Sequence, residues 1–361
     1  MTARLDMTLL LSWLLILVLG TVMVASAAVA ISESLVWKHG IFLLVSLTAF
    51  GVVLAVPLAV WQRCHHLAWG LAVILCILVL VPGIGVEVNG ARRWIGLGAF
   101  TLQASEFAKL LVLVYVAGYL ARFDEAVRES SIALLRPLMM VAIVALLLLM
   151  EPDFGSVVVL GAAVCGMLFV AGTRLRHFLL LVVVAALLLA ALALLQPYRM
   201  QRLVSFTDPW SFAFGSGYQL TQALIAFGRG EVTGLGLGEG IQKLFYLPEA
   251  HNDFIFAVIA EELGLLGTVA VVVLFGTLIA RVLLIAGRAV AEERYFAGYL
   301  TYGVGLLLGV QCLVNMGVNT GMLPTKGLTL PFVSFGGNSL LVCSTMLGLA
   351  FRAQMEAKGR G

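Results

Sequence analysis

Apolar runs of bilayer-crossing length recur along almost the whole chain, and no other feature limits its folding as strongly. An apolar helix needs about 20 residues to cross a hydrocarbon core roughly 30 Å thick. Ten runs meet or approach that length, at roughly 8–30, 41–60, 68–82, 105–121, 136–150, 155–172, 178–196, 254–280, 296–316 and 338–351. Inside lipid a chain must satisfy its own backbone N–H and C=O groups, which a helix does within one segment. With 62% hydrophobic and 11% charged residues, the chain holds more apolar surface than a soluble fold needs. The expectation is an all-α integral membrane protein. It is one polytopic domain over residues 1–361, a bundle of about ten transmembrane helices, with a large extracytoplasmic loop at about 197–252 before the eighth helix.

The N-terminal run imitates a secretory signal, with Arg4, apolar residues from Met7, and Ala25-Ser26-Ala27 as a mock cleavage site. It is longer than a signal's apolar core and more spans follow, so it reads as an uncleaved first helix. Lys and Arg in the loops set orientation. With the N-terminus inside, Arg63, Arg122, Arg128, Arg174, Arg281, Arg288, Arg294 and Arg352 fall on the cytoplasmic side, and both termini are cytoplasmic. The cations left outside gather in three loops that carry other polar signals, as expected if something anionic binds at the outer face. A net charge of +3 without any basic run argues against nucleic acid. The five cysteines are scattered singly with no CxxC, which reads as small buried hydrophobes rather than a disulfide framework or zinc site. No phosphate-binding Walker loop or dinucleotide fingerprint occurs, which argues against an ATP-driven pump.

Four polar stretches lie on the outer side. The first runs from Asn89 through Arg92, Arg93 and Trp94 to Gln103-Ala104-Ser105-Glu106-Phe107-Ala108-Lys109. Glu106 and Lys109 share a helix face and can pair. That pair reads either as a structural pin at the helix end or as part of a site. The second is the long loop, with Arg199 and Arg202, then a Tyr218–Phe227 segment whose apolar positions suit an amphipathic helix on the membrane surface. Arg229 and glycines 234, 236, 238 and 240 follow, either a phosphate cradle or simply a tight loop. The third is His251-Asn252-Asp253, leading into the eighth apolar run. Asp253 reads as a helix N-cap or as a functional carboxylate. Glu261 and Glu262, two turns deeper, read as packing groups that need hydrogen-bond partners. The fourth, Leu323 to Ser339, has prolines at 324 and 331 and paired glycines at 336 and 337. Such irregular backbone survives at this depth only if buried in protein or lining a cavity.

Taken together, these stretches resemble the SEDS family (shape, elongation, division and sporulation), the polytopic peptidoglycan polymerases. Pro248-Glu249-Ala250-His251, Asp253-Phe254-Ile255-Phe256 and Pro324-Thr325-Lys326-Gly327-Leu328-Thr329-Leu330-Pro331-Phe332 carry the likeness, which spans nearly the whole chain. Phe227-Gly228-Arg229-Gly230 and Gly215–Gln222 look more like the proteobacterial division branch than the elongation branch. The chain departs from the family pattern at Ala104, Asn252, Phe335 and Asn338, none of them ionisable.

The resemblance implies polymerisation of lipid II into glycan strands at the outer face of the inner membrane, at the division septum. An acceptor sugar hydroxyl would displace a lipid pyrophosphate in one inverting step, which calls for a general base and for positive charge at the leaving group. Asp253 is the candidate base. Lys109, Glu106, Arg93, Arg199, Arg202, His251, Ser105 and Lys326 are candidate substrate-binding residues. A divalent cation, magnesium or manganese, between Asp253, Glu106 and the pyrophosphate is an option that the sequence does not require. The implied partners are a cognate class B penicillin-binding transpeptidase and division regulators with single membrane spans. The rival readings are a lipid II flippase, a scaffold without catalysis, and an elongation rather than a division role.

Overall fold

The computed structural model describes residues 5–28, 32–88, 91–98, 100–194 and 197–358. Asn89 and Gly90 of the first polar stretch lie outside the described residues, as does the side chain of Arg199.

Each expected span is a helix. The first half holds α1 (Met7–Ala28), α2 (Glu33–Ala55), a short α3 (Leu58–Arg63), α4 (His65–Leu80), α5 (Ala104–Arg122), a short α6 (Asp124–Glu129), α7 (Ser131–Met150) and α8 (Phe154–Val170). The second half holds α9 (Leu175–Leu194), α10 (Pro197–Thr207), α11 (Tyr218–Gly230), α12 (Ile255–Ala291), α13 (Tyr295–Asn319) and α14 (Gly337–Lys358). Among the described residues, seven helices are long and apolar enough to cross a membrane, and α4 and α8 are shorter apolar helices. The tenth, α14, carries Arg352 and Glu356, which pair at 2.8 Å in its last turns. The chain is thus a multi-pass membrane protein.

Three local features differ from the expectation. The second span starts at Glu33, capped by Ser32 accepting the Ser34 N–H, and ends at Ala55 instead of continuing to 60. Pro57 is the reason: Val56 before it is forced to extended backbone, and the proline starts α3. A three-stranded antiparallel sheet, absent from the all-helical expectation, fills the α4–α5 connection as β1 (Gly85–Val88), β2 (Ala91–Leu97) and β3 (Phe100–Gln103) in that order. The Tyr218–Phe227 helix forms as α11, but its apolar face packs on protein instead of lying on the membrane. Leu220, Ala223 and Ala226 are buried, Phe227 meets Phe256 of α12 at 5.7 Å, and Leu224 packs by Gly321 beyond α13.

Helices α5 and α13 form the centre of the bundle, with 83% and 72% of their spanning windows buried, whereas α9 stands at the periphery with 0%. Cross-bundle contacts fix which ends lie together. Asp6 pairs with Arg281, and Arg294 donates to the Ala353 carbonyl, at one end. Ser26 meets Glu262, and Asn338 meets the Thr101 carbonyl, at the other. The sheet, the α7–α8 turn, the long polar stretch and the α13–α14 connection therefore converge at this second end.

The polar stretch is anchored from below by Glu261 and Glu262. Both are fully buried, as the reading of them as packing groups required. Lys243 Nζ reaches Glu262 Oε1 at 2.6 Å and Ser26 Oγ at 2.8 Å, while the Gly238 N–H donates to Glu262 Oε2. Arg229 Nε lies 3.1 Å from Glu261 Oε1, and the Gln242 N–H donates to Glu261 Oε2. The glycine-rich run thus serves these buried carboxylates rather than cradling a phosphate. Helix α12 breaks at Gly264, where φ is +65°, and Gly234, at φ +82°, lies against that break. A Cβ on Gly264 would stand 2.3 Å from the Gly234 nitrogen, so both the left-handed backbone and the contact call for glycine.

Candidate active site

A cavity of about 500 Å³ opens at the end where these connections meet. Its wall takes Arg93 from β2, Glu106 from α5, Asp153 from the α7–α8 turn, Arg202 from α10, Asp253 before α12, and Lys326 from the α13–α14 connection.

Alternation along β2 separates its two arginines. Arg92 points to Glu87 at 3.1 Å on an exposed face. Arg93 points to the α7–α8 turn, where Nε donates to the Glu151 carbonyl (3.2 Å) and Nη2 to the Pro152 carbonyl (2.5 Å). Across the cavity Arg202 Nη1 donates to the Thr325 carbonyl at 3.1 Å, and Lys326 Nζ sits 4.1 Å over the Phe154 ring. Protein contacts therefore hold three cations around one space, arriving from three parts of the chain.

Asp253 is half-buried at the foot of that space. It is not the N-cap of α12: Phe254 holds the cap position, without a side-chain cap bond. Among the described residues nothing donates a hydrogen bond to the Asp253 carboxylate. Burial pushes its carboxyl up to about 7, the neighbouring Glu249 carboxylate adds to the rise, and Arg93 and Arg202 oppose it. Gly327 lies against the acid, since a Cβ there would stand 3.0 Å from Asp253 Oδ2.

Glu106 and Lys109 do pair, at 2.9 Å, and both are buried. Lys109 Nζ also donates to Gln311 Oε1 (3.0 Å), and Gln311 Nε2 donates to the Thr329 carbonyl (3.1 Å). Glu106 lines the cavity and Lys109 does not. Of these two candidate substrate-binding residues, Glu106 faces the cavity, and the buried Lys109 ammonium holds its carboxylate from behind. Ser105 and His251 also stay outside the wall. Ser105 is fully buried and accepts from Gln103 Nε2, and the His251 ring packs 5.6 Å from Phe335. Burial holds the His251 imidazole below its ordinary pKa.

Sequence reading missed Glu151 and Asp153. Glu151 is wholly buried, and burial together with Asp153 pushes its carboxyl up to about 8. Asp153 caps α8, accepting the Ser156 N–H at 3.2 Å and the Ser156 hydroxyl at 2.8 Å. Two carboxylates around a proline, between apolar runs and on the side of the other polar stretches, were the available signal. Among the described residues no three His, Cys, Asp or Glu side chains converge on one point. Glu106, the presumed second ligand beside Asp253, is committed to Lys109. Asp253 would hold a divalent cation only together with substrate phosphates and water, the usual way magnesium is bound.

A multi-pass helical bundle that gathers three cations and four carboxylates, Asp253 among them, around one cavity has the makings of a membrane enzyme that sets a base beside groups able to hold an anion. The chain belongs to the FtsW/RodA/SpoVE family of cell cycle proteins, whose family model matches residues 6–359. It is 53% identical to a probable peptidoglycan glycosyltransferase FtsW of Nitrosococcus halophilus, covering 94% of this chain and 89% of that one. It is 51% identical to the protein of the same name from Halomonas elongata, covering 98% and 91%. Among solved structures it resembles a chain from work on the coordination of polymerization and crosslinking by a peptidoglycan synthase complex, with TM-score 0.80, 28% identity and 98% of both chains covered. It also resembles the rod shape determining protein RodA of Thermus thermophilus, with TM-score 0.72, 28% identity and 97% of both covered.

Proposed function

We propose that this chain is a peptidoglycan glycosyltransferase of the division branch, joining lipid II units into septal glycan strands, with Asp253 as the general base. The observation that carries the assignment of the base is a carboxylate with no hydrogen-bond donor among the described residues, raised to about 7 and set among Arg93, Arg202 and Lys326. Division rather than elongation follows from the FtsW relatives near 50% identity, against 28% for RodA.

In the reaction the acceptor's sugar hydroxyl oxygen bonds to the donor's anomeric carbon. The bond from that carbon to the pyrophosphate oxygen breaks, and its electron pair leaves with the lipid pyrophosphate. Asp253 takes the hydroxyl proton and returns it to water, and the α-linked donor becomes a β-linked product without a covalent enzyme intermediate. A base with a pKa near working pH is most effective at this step. Cations around the departing pyrophosphate stabilise the charge that develops there.

The cavity end faces outward in this reading and both termini lie in the cytoplasm, following the positive-inside bias. The protein sits in the inner membrane at the septum. A class B penicillin-binding transpeptidase is the proposed partner, with single-span division regulators around it. A transport pathway is less well supported, because Glu106, Glu261 and Glu262 each close on cations of the protein instead of forming a polar route across the bundle.

The test is polymerisation of purified lipid II by the protein with its transpeptidase. Asp253→Asn is expected to lower the rate by at least about 100-fold with the complex intact, the range that general-base catalysis supplies. A near-normal rate would remove Asp253 from the chemistry. No polymer from the wild-type complex would bring lipid flipping or scaffolding forward.

A further inference from the structure

Beyond Gln311, helix α13 carries two more buried side-chain amides where an apolar helix should hold none. Asn315 is 2% exposed and Asn319 0%. Polar groups buried at membrane depth are costly unless partnered, and these are partnered to one place. Asn315 Nδ2 donates to the Asp253 carbonyl at 2.9 Å and to the Leu328 carbonyl at 2.6 Å. Asn319, one turn on, donates through Nδ2 to the same Asp253 carbonyl at 2.9 Å, and its Oδ1 accepts the Ala257 N–H at 3.1 Å.

The two preceding carbonyls are held as well. The Phe335 N–H donates to the His251 carbonyl at 2.9 Å, and the Ser334 hydroxyl to the Asn252 carbonyl at 2.7 Å. Three consecutive carbonyls leading to the acid are therefore pinned, while its carboxylate takes no hydrogen bond from the described residues. The arrangement also resolves a conflict. The first N–H groups of a helix need acceptors, and an aspartate at a helix start is normally drawn into that task. Asn319 Oδ1, from the neighbouring helix, and the Phe254 carbonyl share the Ala257 N–H, and the carboxylate of Asp253 takes no part. Asn315, by bridging the Asp253 and Leu328 carbonyls, fixes the acid against Gly327.

We propose that Asn315 and Asn319 are positioning residues for glycosyl transfer, acting through the backbone of Asp253 to set where its carboxylate stands. This rests on the reading of Asp253 as the base. A misplacement of about 1 Å in a reacting group can lower a rate by about 100-fold, and a smaller shift by correspondingly less.

The experiment measures polymerisation rate against lipid II concentration for the purified complex with its transpeptidase, comparing wild type, Asn315→Leu, Asn315→Asp and Asp253→Asn. Asp keeps the volume of Asn315 and Leu its branching at Cγ, and both remove the amide N–H donors. The expected result for both is a kcat about 10- to 100-fold lower at unchanged KM, with the complex assembled and melting as a single species. Should Asn315→Leu fail to assemble, the polar Asn315→Asp carries the test. A rate within about twofold of wild type, or a loss expressed wholly in KM, overturns the proposal. The two readings fail separately: an active Asp253→Asn removes the base whatever Asn315 does, whereas an inactive Asp253→Asn beside a fully active Asn315→Leu removes only the positioning role.

Discussion

Asp153 and Asp253 each stand at the start of a helix beside the same cavity, and the difference between them is the chemistry. Asp153 spends its oxygens on Ser156 and caps α8. Asp253 caps nothing and its carboxyl is raised to about 7. The pH dependence follows with a definite sign. The base works only when ionised, so kcat/KM is expected to climb with pH and reach half its plateau near 7, measurable as the acid limb of the polymerisation profile. Stability runs the other way. A carboxyl whose folded pKa is raised contributes its stability at low pH and loses it as pH rises from the ordinary carboxylate range through about 7. Asp253→Asn should thus melt no lower than wild type at alkaline pH, while being inactive. Gly327 sets the acid's other side. Gly327→Ala places a methyl 3.0 Å from Asp253 Oδ2 and is expected to lower kcat by about 10-fold without unfolding the protein, checked by rate and melting together.

The elements show how much could be read beforehand. Apolar runs alone located the seven long and three further apolar helices among the described residues, because a bilayer demands about 20 residues and leaves few other ways to satisfy a backbone. Charge located Glu106, Arg93, Arg202, Asp253 and Lys326, because charges are rare enough here to stand out. Glu151 and Asp153 carried the same flag and were passed over, whereas the rest of what stayed hidden carries none. The strands β1–β3 are four to seven residues long and lie between two spans, where they read as loop. Gln311, Asn315 and Asn319 are neutral amides in an apolar run, and their partners, the residues around Asp253 and Thr329, lie in other segments of the chain. The α11 face that suited a membrane surface suited α12 equally well, since both offer apolar cover. The glycine-rich run gave no hint that Glu261 and Glu262 would take its N–H groups. That anchoring can be tested at the scale of the loop. Lys243→Met leaves Glu262 buried with its cation gone, and removing one partner of a buried pair costs about 3–5 kcal/mol. The expected outcome is a large drop in melting temperature of the detergent-solubilised protein. Arg229→Met, which deletes a half-exposed cation, should lower it less.

At the scale of the molecule, alternate helix connections divide the polar residues between two ends, and the division is functional. One end gathers the sheet, the 151–153 turn, the long polar stretch and the 320–336 connection around the cavity. The other gathers Asp6, Arg281, Arg294 and Arg352 into bonds that tie helix ends together. A polymerase of lipid-linked sugars must present the first end to the outer surface, where glycan strands are laid down. The second end, which holds most of the arginines, then meets the cytoplasm by the positive-inside rule. Two positions make this measurable. Cys64 is an exposed native thiol beside Arg63 at the arginine-rich end, and the other cysteines are buried or half-buried. Phe214 is fully exposed in the polar stretch at the cavity end. In spheroplasts treated with a membrane-impermeant maleimide, the Phe214→Cys variant should label at once. Wild-type protein, whose accessible thiol is Cys64, should label only after the membrane is opened. The reverse pattern would turn the cavity toward the cytoplasm, where no glycan strand is assembled, and would exclude the polymerase whatever the chemistry of Asp253.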